Sequence, residues 1–318
     1  ELTFVLSVPL IDFIEEGLGW LAGRAATVAP AWLGSLLGDG IIGGVGAVMA
    51  FVPVIFLLYL GLSILEDTGY LARAAFVMDR LMHKIGLHGR SFVSLILGFG
   101  CTVPAVMASR TIENPKDRLV TILVTPLMSC GARLPVYVLL AAAFFTAYQG
   151  LVVFSLYALG IVLAILLAWL FRKRIISGDA GHFVMELPPY RLPTIPNVAV
   201  HVWEKGWAFL SRAGTFIFMA VCVIWLLDYF EILESIGQAI APIFGPAGFG
   251  QWQSAVALIF GVFAKETVIG AFGTLFVGGE TVGGLEAALS VQLGWTPLAA
   301  YAFMVMILLY IPLSLIHI

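Results

Sequence analysis

Charge is scarce in this sequence. Only 11% of its 318 residues are Asp, Glu, Lys or Arg, while 61% are hydrophobic. A soluble domain carries roughly 25% charged residues, so an ordinary soluble enzyme and a disordered chain are both excluded. Cysteine is also scarce. Cys101, Cys130 and Cys222 are too few for a disulfide framework, and their spacing fits no zinc finger. The sequence has no Gly-Lys dipeptide and therefore no phosphate-binding Walker loop. It has no catalytic triad string, zinc signature or dinucleotide fingerprint either, so no catalytic residue is expected. A net charge of −3 offers nothing to a polyanion, and no nucleic-acid partner is expected. The five histidines form no metal-ligand spacing.

What the chain has is apolar length. Its mean hydropathy is +1.05. The apolar runs are continuous rather than alternating, which excludes a membrane β-barrel. The expectation is an all-α, polytopic helical membrane protein with the lipid bilayer as its surroundings. Residues 1–41 read as the end of a first span and an outer loop. Residues 42–145 read as a first gate region with its spans, with Pro53 as a kink. Residues 146–176 read as a span with a basic cytoplasmic end. Residues 177–212 read as a Pro-rich cytoplasmic segment and an amphipathic helix around His201–Arg212. Residues 213–296 read as a second gate region, and 297–318 as a last span that is truncated. The chain reads as a fragment at both ends.

Orientation follows from the basic residues. Arg73, Arg80, Lys84, Arg90, Arg110, Lys116 and Arg118 crowd one segment. Arg172, Lys173, Arg174, Arg191, Lys205 and Arg212 crowd another. Both segments are expected on the cytoplasmic side, with 14–41, 231–251 and 277–296 outside. The outer loops are acidic, which would enrich cations at an entrance. Positive-inside bias alone would produce the same asymmetry. Segment 91–109 is flanked by cytoplasmic charge and should dip in and return. Segment 252–276 is flanked by loops without Lys or Arg and should dip from outside. Two broken, re-entrant gate segments of opposite sense make an inverted repeat, the pattern of many transporters.

Three strings carry the candidate chemistry. In Gly98-Phe99-Gly100-Cys101-Thr102-Val103-Pro104 the glycines and proline break a helix and free carbonyls at membrane depth. Cys101 there is either a soft ligand or a small buried residue, and Gly98, Gly100 and Pro104 are either gate elements or packing devices. In Pro126 to Pro135, Met128, Ser129 and Cys130 offer a thioether, a hydroxyl and a thiol. Arg133 in the same string needs a partner, either a carboxylate such as Glu266 or a helix C-terminus. Lys265 and Glu266 sit mid-segment, so each is either a functional group or half of a structural pair. Glu66 and Asp67 end a span and read either as solvated carboxylates or as exit ligands. Cys222 has no breaker nearby and reads as filler.

Several of these strings resemble the ferrous iron transport protein B family. They are Leu65 to Phe76, Gly98 to Pro104, Thr111 to Asn114, Met128 to Tyr137 and Val184 to Pro193. The resemblance implies Fe²⁺ as the transported substrate, uptake across the bacterial inner membrane, and no permanently bound cofactor. It implies that Cys101 and Cys130 are gate cysteines, with Met128, Glu66, Asp67 and Glu266 near the path. It also implies an N-terminal GTPase domain outside this chain, through which alone GTP and Mg²⁺ would act. Small accessory Feo proteins and self-association complete the implied partners. Leu313 follows Ile311-Pro312 where the family usually has Cys, and 314–318 do not resemble the family. Two rival readings stand beside this one: a gate-type carrier of a nucleoside-like solute, and a non-transporting membrane assembly protein.

Overall fold

A computed structural model describes residues 2–28, 34, 41–87, 89–145, 147–175, 190, 192–230, 232–263, 265, 267–269, 271–272, 289 and 293–310. Among these residues every regular element is helical. The chain divides into two compact units, Glu1–Tyr70 with Pro188–Leu233, and Leu71–Leu187 with Glu234–Ile318.

In the first unit, helix α1 runs over Leu2–Val28 and α2 over Gly43–Asp67. Helix α1 continues past the end of its apolar run, so 14–28 is helix where hydropathy suggests a loop. Helix α2 passes unbroken through Pro53. It stops at Thr68-Gly69, where Gly69 takes φ +73° and donates its N–H to Glu66 O at 3.0 Å. A left-handed glycine at this place satisfies carbonyls that the helix end leaves open. The Thr68 hydroxyl takes another, Leu65 O, at 3.0 Å.

Two later helices, α9 (Ile195–Phe209) and α10 (Thr215–Tyr229), pack with α1 on α2. Helix α9 starts six residues earlier than the amphipathic pattern suggests, because Pro196 suits a first helical turn. A Cβ on Gly206 would lie 2.8 Å from the Phe56 ring, so the missing side chain lets α9 approach α2.

The second unit holds the broken segments. Helix α3 spans Tyr70–Ile85, α4 Gly89–Gly100, α5 Thr102–Ala108 and α6 Pro115–Val124. Helix α7 follows over Leu134–Phe144, α8 over Gln149–Leu170, α11 over Ile232–Phe244, α12 over Trp252–Phe263 and α13 over Pro297–Leu309. Helix α11 occupies much of 231–251, which composition marks as a loop.

Helix α8, continued to Arg174, is 26 residues long and apolar enough to cross a membrane. At 1.5 Å per residue that is about 39 Å, more than the hydrocarbon core needs. Leu151, Phe154, Val162, Leu166 and Trp169 lie exposed along it, as a lipid-facing helix requires. Helices α4, α7 and α13 are apolar but short; at 12 residues α4 reaches only about 18 Å. Any helix that ends inside a bilayer must have its free end satisfied there. The described residues make a helical membrane protein with one long apolar helix and several short ones.

The core of this unit joins Val120, Val124, Leu127 and Met128 to Met82, Leu87, Ala164 and Ala168. A Cβ on Gly160 would lie 2.7 Å from Leu127 O, so this glycine lets α8 press against the backbone of the break. A second cluster stacks Trp295, Phe303, Phe249, Phe272 and Phe144, with Trp295 and Phe303 4.9 Å apart. Trp295 Nε1 donates to Gln251 Oε1 at 2.6 Å, and Gln251 Nε2 donates to Leu293 O.

Candidate broken-helix site

The first break lies between α4 and α5. Cys101 is extended there, at φ −152° and ψ 130°. Its N–H still donates to Leu97 O at 2.9 Å. The thiol belongs to a partly exposed residue, while Thr102 and Pro104 behind it are buried. Gly98 is buried and Gly100 is exposed. A Cβ on Gly98 would lie 3.1 Å from Met128 Cβ and 3.5 Å from Thr125 Cγ2. Gly98 is therefore where the first broken segment presses on the second.

The second break runs from α6 to α7. Two short 3-10 turns, Thr125–Leu127 and Gly131–Arg133, flank extended residues at Met128 and Cys130. Pro126 and Pro135 favour that interruption, because neither has an N–H to continue a helix. Met128 is only 4% exposed and packs into the apolar core. Cys130 is partly exposed, and its carbonyl accepts from Arg133 N at 3.1 Å.

Arg133 is 1% exposed. Its Nη2 donates to Pro126 O at 2.6 Å and its Nη1 to Met128 O at 3.2 Å. The forked guanidinium thus closes two of the carbonyls freed by the break. Those two carbonyls, which the sequence leaves open to a cation, are occupied.

Aromatic side chains draw the two breaks together. Phe99 stacks on Tyr157 of α8 with ring centroids 6.5 Å apart and planes within 5°. Tyr157 lies within electrostatic range of Cys130 and Arg133. Tyr137 of α7 lies within range of the same two residues and beside Ser129. Ser129 and Tyr137 are buried, and their hydroxyls lie within hydrogen-bonding reach of each other.

The other charged candidates sit elsewhere. Lys265 follows α12 in a turn rather than lying mid-helix. It is 4% exposed, donates to Ile307 O at 2.9 Å and lies 4.8 Å above the Tyr310 ring. A cation on a last-turn carbonyl of α13 suits the negative end of that helix. Glu266 lies outside the described residues.

Glu66 and Asp67 belong to the first unit. Lys205 Nζ donates to Glu66 Oε2 at 2.7 Å, and His201 Nδ1 lies 3.8 Å from Asp67 Oδ1. Both carboxylates face helix α9. Cys222 lies within α10 with no break beside it.

The structure therefore gathers Gly98, Met128, Ser129, Cys130 and Arg133 in the second unit, with Cys101 three residues beyond Gly98. Among the described residues no group of three His, Cys, Asp or Glu side chains gathers as a metal site. Sequence reasoning misses Phe99, Tyr137 and Tyr157, because an aromatic in an apolar run carries no local signal. It also misses a buried ion pair beneath the breaks. Asp117, fully buried in the first turn of α6, lies 2.7 Å from Arg172 Nη1. By sequence Arg172 is only one of a run of cytoplasmic charges. Its aliphatic stem covers Gly86, which has φ +84° and no room for a Cβ.

Comparison with known proteins supplies a second line. The family profile named Gate and described as nucleoside recognition matches residues 48–144 and 210–317. The profile for the ferrous iron transport protein B C terminus matches 153–205. A protein named Fe(2+) transporter FeoB from Methanocaldococcus jannaschii is 42% identical over 332 residues, covering 98% of this chain and 49% of that protein. A fusion of Fe(2+) transport protein A and Fe(2+) transporter FeoB from Porphyromonas gingivalis is 42% identical, covering 98% and 44%. One from Salmonella typhimurium, named Fe(2+) transporter FeoB, is 45% identical over 261 residues, covering 78% and 34%. The chain spans about half the length, or less, of the curated relatives it matches. No solved structure matches.

Proposed function

Because the chain belongs to the ferrous iron transport protein B family, we propose that it is the membrane permease portion of a ferrous iron uptake system. It acts in the plasma membrane, which is the inner membrane of a Gram-negative cell, and crosses it several times. The observation that carries this reading is the pair of broken segments. Each holds a thiol on an extended residue between two helix ends, and the two press together at Gly98 and Met128.

Fe²⁺ is a borderline cation that thiols and oxygens both bind. On this reading it enters from the acidic outer face and exchanges part of its hydration shell at Cys101 and Cys130. Met128 is a thioether contact once the packed break opens. Glu66 and Asp67 meet the ion on the cytoplasmic side, where Lys205 and His201 compete with it. Glu266 belongs to the opposite broken segment. The segments 111–118 and 178–191 are cytoplasmic, and 278–294 is external.

The chain performs no catalysis itself. A GTP-binding domain elsewhere in the full-length protein regulates it and carries the GTP and Mg²⁺ chemistry. The fused relative supports small accessory Feo proteins as partners. Self-association is part of the same proposal.

The experiment is Fe²⁺ uptake into vesicles holding a full-length family member that carries this segment. Cys101→Ser and Cys130→Ser should each reduce uptake strongly while the protein stays folded, and Cys222→Ser should change little. Serine nearly keeps the size and removes the soft ligand. Wild-type uptake in the Cys101→Ser, Cys130→Ser double variant would return both thiols to a packing role. Uptake of a nucleoside in place of Fe²⁺ would favour the solute-carrier reading that the Gate description allows.

A further inference from the structure

Helix α3 buries one face and leaves the other uncovered. Ala75 and Met82 are buried, and Met82 packs with Leu87 against Ala164 and Ala168 of α8. The opposite face exposes Phe76, Val77 and Leu81, at 54%, 73% and 47%. Arg80 and Lys84 lie on that same face and are exposed. They stand four residues apart, the spacing at which like charges on a helix repel. Asp79, the one acid of α3, is engaged elsewhere, by Gly89 N at 2.9 Å and His83 Nδ1 at 3.3 Å. Among the described residues, neither Arg80 nor Lys84 has a salt bridge.

Arg172 brings more cations to the same place. Its stem lies against Gly86, two residues after Lys84, where a Cβ would meet Arg172 Cγ at 2.7 Å. Its guanidinium lies 2.7 Å from Asp117 in the first turn of α6. One side chain thus holds together the end of α3, the end of α8 and the start of α6. Arg172 is neutralised by Asp117, but Lys173 and Arg174 after it are exposed. Lys173 Nζ sits 4.7 Å above the ring of Trp169, which is 47% exposed.

An aromatic and a cation at the end of a span mark the headgroup level of a bilayer. Helix α3, packed on the last turns of α8, lies at that level. Leu166, Trp169 and Lys173 follow one stripe of α8, so the cations continue a lipid-facing surface. Apolar groups mixed with cations on one exposed face are the composition of a helix lying in the interface. Helix α11 contains no Lys or Arg, so the basic face is not general to the helices of this unit.

We propose that the exposed face of α3 and the end of α8 bind the headgroups of anionic phospholipids. Arg80, Lys84, Lys173 and Arg174 meet the headgroup phosphates, while Val77, Leu81 and Trp169 enter the boundary with the acyl chains. The bound lipid relieves the repulsion among these cations and anchors the start of α6, the helix that leads to the second break. This goes beyond the transport reading and rests on it only for the leaflet, which is the cytoplasmic one.

The test is lipid binding to the purified full-length protein. Native mass spectrometry reads the affinity for phosphatidylglycerol and for phosphatidylcholine of the same chain length. The wild type should prefer phosphatidylglycerol. Arg80→Gln, Lys84→Gln and Lys173→Gln should each weaken that binding about fivefold, the size of one cation near a charged membrane surface. The triple variant should weaken it roughly a hundredfold, with phosphatidylcholine binding unchanged. Arg24→Gln removes a cation beside Trp20 in the first unit and should change neither lipid. Excess inorganic phosphate should not displace the lipid.

Equal phosphatidylglycerol affinity in the wild type and the triple variant would overturn the inference. Displacement by inorganic phosphate would overturn it too, by reducing the place to a simple anion site. If the triple variant keeps its lipid but loses GTP-dependent Fe²⁺ uptake, the face serves a protein partner and the lipid assignment falls. Should the triple variant fail to fold, the three single variants decide. A wild type that binds the lipid but carries no Fe²⁺ would overturn the transport reading and leave this inference standing.

Discussion

Replacing Arg133 with Ala removes the group that closes the second break. Two hydrogen bonds are lost, to Pro126 O at 2.6 Å and to Met128 O at 3.2 Å. Hydrogen bonds to a charged group contribute about 1.5–3 kcal/mol each in proteins generally. Polar contacts inside membrane proteins come out lower, at ~0.6 kcal/mol on average and up to about 1.7, because the alternative state also finds partners. Arg133 is 1% exposed, so solvent does not replace the lost donors. The expected cost is therefore about 1–3 kcal/mol, taking ~0.6–1.7 for each bond. At roughly 2–4 °C per kcal/mol for a large domain, melting in detergent should fall by about 2–12 °C.

Arg133→Lys should recover part of that loss, because a single ammonium on a flexible stem replaces a planar fork. The partners of Arg133 are carbonyls, so removing a carboxylate should not rescue the alanine variant. The assay is thermal unfolding of purified full-length protein, carried out for Arg133→Ala, Arg133→Lys and Arg133→Ala with Glu266→Gln. Wild-type melting of Arg133→Ala would refute the capping role. Recovery in the double variant would show that Glu266 is Arg133's partner, and the two carbonyls would no longer account for its burial.

Two further outcomes are expected. Asp117→Asn leaves Arg172 buried without its partner and should cost about 3–5 kcal/mol, while replacing both residues by apolar ones of similar size should restore most of it; denaturant melts of the single and double variants check this. Lys205→Ala breaks a solvent-exposed pair with Glu66 and should change stability by less than about 1 kcal/mol, so a melting loss as large as that of Arg133→Ala would show that α9 is anchored through this contact.

The sequence alone determined the class of this protein. With 61% hydrophobic residues and so little charge, the chain has no route to a soluble core, and lipid leaves the backbone only helices or barrels. It also located both breaks. Gly100 ends α4, and Pro126 and Pro135 lack the N–H that would continue a helix, whereas Gly98 lies inside α4 and Pro104 inside α5. The long helix α8 was legible from its uninterrupted apolar run.

Helix extents were less legible. Helices α1 and α11 run on into stretches of ordinary polarity, because tertiary packing rather than hydropathy sets where a helix stops. Partners were not legible at all. The sequence required a partner for Arg133, but only the fold could bring Pro126 O and Met128 O under its fork. Asp117 and Arg172 are 55 positions apart by their numbering, and nothing local marks them as a pair. Lys265 reads as a charge stranded in a span until α13 delivers Ile307 O to it. The aromatic and hydroxyl surroundings of Cys130 come from α7 and α8 folding back on the break. Local chemistry decides where a chain bends or breaks, whereas long-range packing decides which buried groups meet, and meeting is what makes a buried charge tolerable.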